Sequence, residues 1–234
     1  MAKNKIFGPG DSLIRYLSHE LRSPLAKMEM SLRLHEKVFK ANDNKDAQKR
    51  AEVYDTLISS IHRLKHNVQN TLDLFSLNYC HAKLKKDNVI LGELVSCALK
   101  EVQGEAERKG IELVSSLPKD IPTVPGDSQK IYNALINLLG NALKFTDKGH
   151  VRVSVRTLPS QVEVSVSDTG IGLDTNNEYI SRLFEPFTED TGGFTRPGIG
   201  LFVCKSTIER HGGEIWVESK GRNKGATFRF TLPV

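Results

Sequence analysis

Cysteine is scarce: Cys80, Cys97 and Cys204 are the only three, odd in number and far apart. That spacing supports neither a disulfide framework nor a Cys-x-x-Cys metal site, so the thiols read as reduced, half-buried small hydrophobes. No apolar run approaches the ~18 residues that a membrane helix needs, and Met1 to Ile6 lacks the apolar stretch of a signal peptide. The chain therefore reads as cytoplasmic. Lys and Arg number 33 against 28 acidic residues, a net charge of +5, but they are scattered rather than clustered. An anionic partner is permitted and none is selected. No groove-reading helix and no aromatic-studded basic strand occurs, which argues against nucleic acid. A Walker A loop, a His-Arg-Asp motif and an Asp-Phe-Gly motif are all missing, which removes P-loop and eukaryotic-type kinases. With 38% hydrophobic and 26% charged residues over 234 positions, collagen, mucin and wholesale disorder are excluded, and there is room for one large or two modest domains.

What is present divides the chain in two. Leu13, Leu17, Leu21, Leu25, Met28 and Leu32 step by four and three, a single stripe along a helix from about Asp11 to Lys40. Asn42 to Asp46 make a polar turn, and Leu57, Ile61, Leu64, Val68, Leu72 and Phe75 draw a second stripe. Two long helices in a hairpin leave half of each stripe wet, and at ~25 cal/mol per Å² the remedy is a second copy. The expectation over 11–80 is a dimerising hairpin that forms a four-helix bundle in a homodimer.

Over 87–234 the texture is mixed, so the whole is α+β. A short strand is expected near Val89, a helix over Leu91 to Lys109, and a strand at Ile111 to Val114. Pro118, Pro122 and Pro125 mark a connection, and Asp127 caps a helix to about Phe145. Val151 to Val155 and Val162 to Val166 alternate with period two as an antiparallel hairpin. A helix from about Ile199 to His211 precedes two closing strands, Glu214 to Ser219 and Ala226 to Leu232. These elements predict an α/β sandwich, helices over one face of a mixed sheet.

Three clusters there carry chemistry. Asn137, Asn141 and Lys144 are spaced by four and three and share a helical face, a row suited to Mg²⁺ and phosphate oxygens, although the spacing by itself fits a plain polar outer face better. Asp168 follows an apolar strand and precedes Gly170 and Gly172, so its carboxylate emerges at a sheet edge beside backbone that a ligand can approach. Such a carboxylate accepts from the exocyclic amine of adenine and repels the carbonyl of guanine; the alternative is a turn aspartate. Gly198-Ile199-Gly200 opens a helix whose unpaired N–H groups attract phosphate. The stretch between Gly172 and Gly198, which contains Leu183-Phe184-Glu185-Pro186-Phe187, is long enough for a lid.

In order, Asn-Leu-Leu-x-Asn-Ala-x-Lys-Phe from Asn137, Asp-x-Gly-x-Gly from Asp168, Leu-Phe-Glu-Pro-Phe from Leu183 and Gly-x-Gly-Leu from Gly198 resemble the N, G1, F and G2 boxes of sensor histidine kinases. Ser18-His19-Glu20-Leu21-Arg22-Ser23-Pro24-Leu25 resembles their H box. The resemblance covers nearly the whole chain. It implies the ATP-binding fold shared with gyrase-type ATPases, with Asp168 on adenine, Asn141 on Mg²⁺, Asn137 near metal or phosphate and Lys144 beside it. It also implies Thr227 near adenine. Arg196 stands where the family often has a glycine, which leaves two readings open: a stiffer lid, or Arg196 itself on a phosphate.

His19, with an unperturbed pKa near ~6.5, offers a neutral ring nitrogen that can attack phosphorus. Glu20 can take the proton from the other ring nitrogen. Pro24 deletes a helix hydrogen bond and should bend the helix just beyond His19. Ser23 resembles the position that orients water for removing phosphate from a partner, so phosphatase activity joins the expectation. The expected activity is that of a protein histidine kinase: autophosphorylation on His19, then transfer to an aspartate of a separate response-regulator receiver domain, since no residues remain here for one. The short stretch ahead of the first helix leaves no sensor, so the chain reads as the cytosolic core of a larger, membrane-anchored receptor.

Three rival readings fit less well. An aspartic protease shares Asp-Thr-Gly, but such domains are nearly all strand. A gyrase-like or chaperone-like ATPase would carry a general-base glutamate where this chain has Asn137. A degenerate nucleotide-binding dimerisation module sits poorly with intact His19, Asn141 and Asp168.

Overall fold

The computed structural model describes residues 25–26, 28–32, 53–54, 56–58, 60–61, 64, 67–71, 84–85, 87–174, 180, 182–186 and 199–234. The chain divides into two compact units, Met1–His81 and Ala82–Val234. In the first, every described residue from 25 to 32 and from 53 to 71 is helical. Ser60 Oγ donates to the Thr56 carbonyl at 2.7 Å and Thr71 Oγ1 to the Asn67 carbonyl at 2.8 Å, the back-bonding that lets hydroxyls sit within a helix.

The second unit runs β1 (Asp87–Val89), α1 (Leu91–Lys109), β2 (Ile111–Ser116), β3 (Val124–Gly126), α2 (Ser128–Phe145), β4 (Gly149–Thr157), β5 (Gln161–Asp168), α3 (Ile199–Arg210), β6 (Ile215–Ser219) and β7 (Ala226–Pro233). α1 buries Leu91, Leu94, Val95, Ala98, Val102 and Ala106 at three- and four-residue steps. It stops at Gly110, whose φ of 65° is left-handed and which closes the last turn with basic Arg108 and Lys109 beside it. α2 starts where Asp127 Oδ1 accepts the Lys130 N–H at 3.2 Å. At its other end Lys109 Nζ donates to the Leu143 carbonyl at 2.6 Å, joining the ends of α1 and α2.

Five strands form one sheet in the order β2-β4-β5-β7-β6. Only β2 and β4 are parallel. Val151, Val153 and Val155 on β4, Val162, Val164 and Val166 on β5, and Phe228, Phe230 and Leu232 on β7 are buried together with the apolar faces of α1 and α2. One sheet face is therefore covered by helices, and fully burying each such side chain is worth ~1.5–3 kcal/mol. The other face carries Ser165, Ser167, Thr227 and Arg229, which pair across β5 and β7.

β1 and β3 form a separate antiparallel pair, Asn88 opposite Pro125. The sequence predicts only a connection over Val124 to Gly126, because three residues around a proline show no alternation; the strand exists only through its pairing with β1. The cysteines also divide. Cys204 is buried, its thiol pushed up by desolvation and donating to the Ala134 carbonyl at 3.4 Å, whereas Cys97 is exposed rather than half-buried. Among the described residues no helix is long and apolar enough to cross a membrane.

Candidate nucleotide site

β5 ends at Asp168, on the helix-covered face that it shares with Val164 and Val166. Only 9% of this residue is exposed. Oδ1 accepts the N–H of Gly170 at 2.9 Å and of Ala226 at 3.3 Å, while Oδ2 has no hydrogen bond among the described residues. Burial raises the carboxyl above the usual aspartate range, and the two backbone N–H groups pull it partly back. The result is a fixed carboxylate with one oxygen spent on the protein and one left over.

The loop beyond it is stitched to the end of α2 and to the β6–β7 turn. Ile171 N–H donates to the Phe145 carbonyl at 3.1 Å, Gly225 N–H to Gly170 O at 3.1 Å, and Leu173 N–H to Ser219 Oγ at 3.1 Å. Glycine is obligatory here. A Cβ on Gly170 would lie 2.1 Å from the Phe145 carbonyl oxygen, and Gly172, at φ 66°, would put one 2.2 Å from Gly221 O. The structure thus brings Asp168, Gly170 and Gly172 against the last turn of the helix that carries Asn141 and Lys144.

Asn137, Asn141 and Lys144 do not form a uniform outer row. Asn137 is buried at 4% exposure, Asn141 is half-buried and Lys144 is exposed, its ammonium 5.0 Å from the Phe145 ring centre. The row climbs out of the core towards the loop. Beside it, Thr146 Oγ1 is buried with no hydrogen-bond partner among the described residues, 3.0 Å from where a Gly170 Cβ would stand. Among the described residues no group of His, Cys, Asp and Glu could hold a metal. A cation here would depend on amide oxygens and on oxygens brought by a ligand, which suits a magnesium–nucleotide pair.

Thr227 is a correction. It pairs with Ser167, and its Oγ1 donates to Ser167 Oγ at 3.0 Å on the uncovered sheet face. There it lines a polar groove of about 260 Å³ together with Ser165, Arg229 and Glu163. β7 alternates, so Ala226 and Phe228 face the helices and Thr227 faces away; the residue beside Asp168 is Ala226. Sequence reasoning missed Ala226, although the alternation of the closing strand carried the signal. Gly225 was missed as well: at φ 68°, its Cβ would fall 2.0 Å from the Asp168 carbonyl oxygen.

α3 opens at Ile199 and Gly200 and packs along α2. Leu183 and Phe184, within the expected lid, are buried, and Phe184 meets Phe228 edge-on with ring centres 6.4 Å apart. That stretch is anchored in the core at its middle. His19, Glu20, Ser23, Arg196 and Gly198 lie outside the described residues.

Residues 126–234 match the family model of histidine kinase-, DNA gyrase B- and HSP90-like ATPases, and residues 11–79 match the His Kinase A (phospho-acceptor) domain. The chain belongs to the sensor histidine kinases. It is 30% identical over 96% of its length to the adaptive-response sensory kinase SasA of Prochlorococcus marinus (strain MIT 9215), and 34% identical over 94% to the hybrid signal transduction protein dokA of Dictyostelium discoideum. It spans 58% of the former and 14% of the latter. Full-length ShkA in complex with AMPPNP superposes with a TM-score of 0.65 at 26% identity, covering 94% of this chain and 45% of that one. Histidine kinase ThkA, solved in complex with the response regulator TrrA, shares the fold with a TM-score of 0.60 at 22% identity, over 94% of this chain and 60% of its own.

Proposed function

We propose that this chain binds ATP with Mg²⁺ in the second unit, phosphorylates itself on His19, and passes the phosphoryl group to an aspartate of a separate response regulator. The observation that carries the reading is the division of labour within Asp168: Oδ1 is held by Gly170 and Ala226, and Oδ2 is free to accept the exocyclic amine of adenine. A guanine carbonyl would be repelled there. The AMPPNP complex of ShkA, a relative in fold and sequence, supports the same ligand class.

Asn141 and Asn137 would supply amide oxygens to Mg²⁺, and Lys144 would lie against phosphate. When bound, Mg²⁺ neutralises charge on the phosphate oxygens. The His19 ring nitrogen then forms a bond to the γ-phosphorus as the bond to the ADP oxygen breaks, the electron pair leaving with ADP, and Glu20 takes the proton from the other ring nitrogen. A receiver aspartate oxygen in turn displaces the imidazole from phosphorus. Dependence on ATP puts this chemistry in the cytoplasm.

A homodimer accompanies the reading. On the hairpin, Leu25, Leu32 and Ile61 are more than half exposed, at 52%, 57% and 52%, while Ser31 and Ser60 are buried. Apolar stripes left outside by a lone hairpin are what a second copy covers.

Incubation with γ-labelled ATP and Mg²⁺ tests the proposal. Protein-bound label should be acid-labile and base-stable, as a phosphoramidate is, and should vanish in His19→Gln. Label that survives this substitution removes the nucleophile.

A further inference from the structure

We propose that His211 is a positioning residue for the nucleotide, pinning the start of α2 to the end of α3 through one fixed tautomer. The inference rests on the reading of the cleft as a nucleotide site. His211 directly follows α3, is buried, and has two partners. Its Nδ1 lies 2.7 Å from the Thr207 carbonyl oxygen, and its Nε2 lies 2.9 Å from the backbone nitrogen of Asp127, eighty-four positions away in sequence. The Asp127 amide can only donate and the Thr207 carbonyl can only accept. Nε2 must therefore present its lone pair, and Nδ1 must carry the proton.

What this ring joins gives it its role. Asp127 is the N-cap of α2, its Oδ1 accepting the Lys130 N–H. α2 carries Asn137, Asn141 and Lys144 towards the Asp168 loop, and the far end of α3 is Ile199–Gly200, the helix start expected to meet phosphate. The same two helices are tied midway by Cys204 Sγ and the Ala134 carbonyl. Two ties at different heights fix both the separation and the relative tilt of two rigid rods, and so the spacing of the groups at their cleft ends. The backbone leaves room for the ring: a Cβ on Gly126 would stand 2.8 Å from His211 Cδ2.

Two measurements decide the matter. Nitrogen-15 NMR of the imidazole in the wild-type protein should show Nδ1 protonated and Nε2 bare at neutral pH; the opposite tautomer overturns the pin. Binding of AMPPNP with Mg²⁺, measured well below every variant's unfolding temperature, should be about tenfold weaker in His211→Leu, the scale of one lost buried hydrogen bond. In His211→Gln, whose side-chain oxygen keeps an acceptor for Asp127, affinity should return to within about threefold, a recovery that unfolding temperature alone would not track. Gly126→Ala, whose Cβ would meet both the His211 ring and Ile131 Cδ1, should repeat the loss and stands in if the leucine variant fails to fold. Wild-type affinity in both His211→Leu and Gly126→Ala overturns the inference. A wild-type protein that binds no nucleotide overturns the reading of the cleft instead, and the tautomer then decides the pin on its own.

Discussion

The backbone N–H of Ile171 donates to the carbonyl of Phe145 at 3.1 Å, fastening the loop after Asp168 to the last turn of α2. The loop can come this near only because the preceding residue, Gly170, has no side chain. Gly170→Ala should therefore cost stability by about 1–3 kcal/mol, the range for overpacking that forces the backbone to shift, and should abolish nucleotide binding even in the protein that remains folded. Chemical denaturation alongside calorimetric titration with ADP reads both. A variant with full affinity would mean that the loop and α2 need not meet.

Asp168 trades stability for recognition. Its folded-state carboxyl is raised, chiefly by burial, so the stability linked to it is fully present below the ordinary carboxylate range and is lost as pH rises through the raised value. Asp168→Asn keeps the neutral condition at every pH. It should unfold at a higher temperature than wild type at neutral pH and lose that advantage in acid, while binding ATP far more weakly. In the wild type, ATP affinity should fall on acidification, beginning at a higher pH than an ordinary aspartate would give; the asparagine variant should show no such slope. Melting curves and titrations across pH decide it.

The exposed stripe of the hairpin unit makes a separate demand. Ile61 is 52% exposed, and a charge there should be tolerated by a lone hairpin but not inside a dimer core. Ile61→Glu should convert the protein to monomer in sedimentation or light scattering while the second unit keeps its nucleotide affinity. A dimer that persists would place the contact between copies elsewhere.

The elements with strong local punctuation are legible in the sequence. α1 ends on Gly110 and α2 begins on Asp127 because a left-handed glycine and a side-chain cap are properties of single residues. β4 and β5 declare themselves by alternating valines, and reach further than expected because the end residues Gly149 and Asp168, outside the valine pattern, are carried along by the ladder. Asp168 and its glycines are legible as a site for the same local reason. The depth of Asn137 is not, since helical spacing gives a direction around the axis but not the tilt of the axis into the core. Nor is the long-range partner of His211: Asp127 meets it only after the chain has folded back across α2 and α3. Contacts made by backbone atoms distant in sequence leave no mark on residue type.

The two neighbours Ala226 and Thr227 separate a motif from a geometry. Motif likeness put Thr227 near adenine, whereas the strand turns it to the uncovered face, bonded to Ser167. Thr227→Val removes that hydroxyl contact beside water-accessible partners, so it should cost no more than about 1 kcal/mol and leave ATP affinity unchanged. Ala226 sits in the core next to Asp168, its N–H on Oδ1. Ala226→Leu adds bulk on the cleft side, where overpacking typically costs about 1–3 kcal/mol, and should weaken ATP binding by about tenfold or more on that scale. Titrating both variants with AMPPNP tells the two strand faces apart. Loss in the valine variant with tolerance in the leucine variant would return the adenine edge to Thr227 and reverse the facing of β7 argued from its burial alternation.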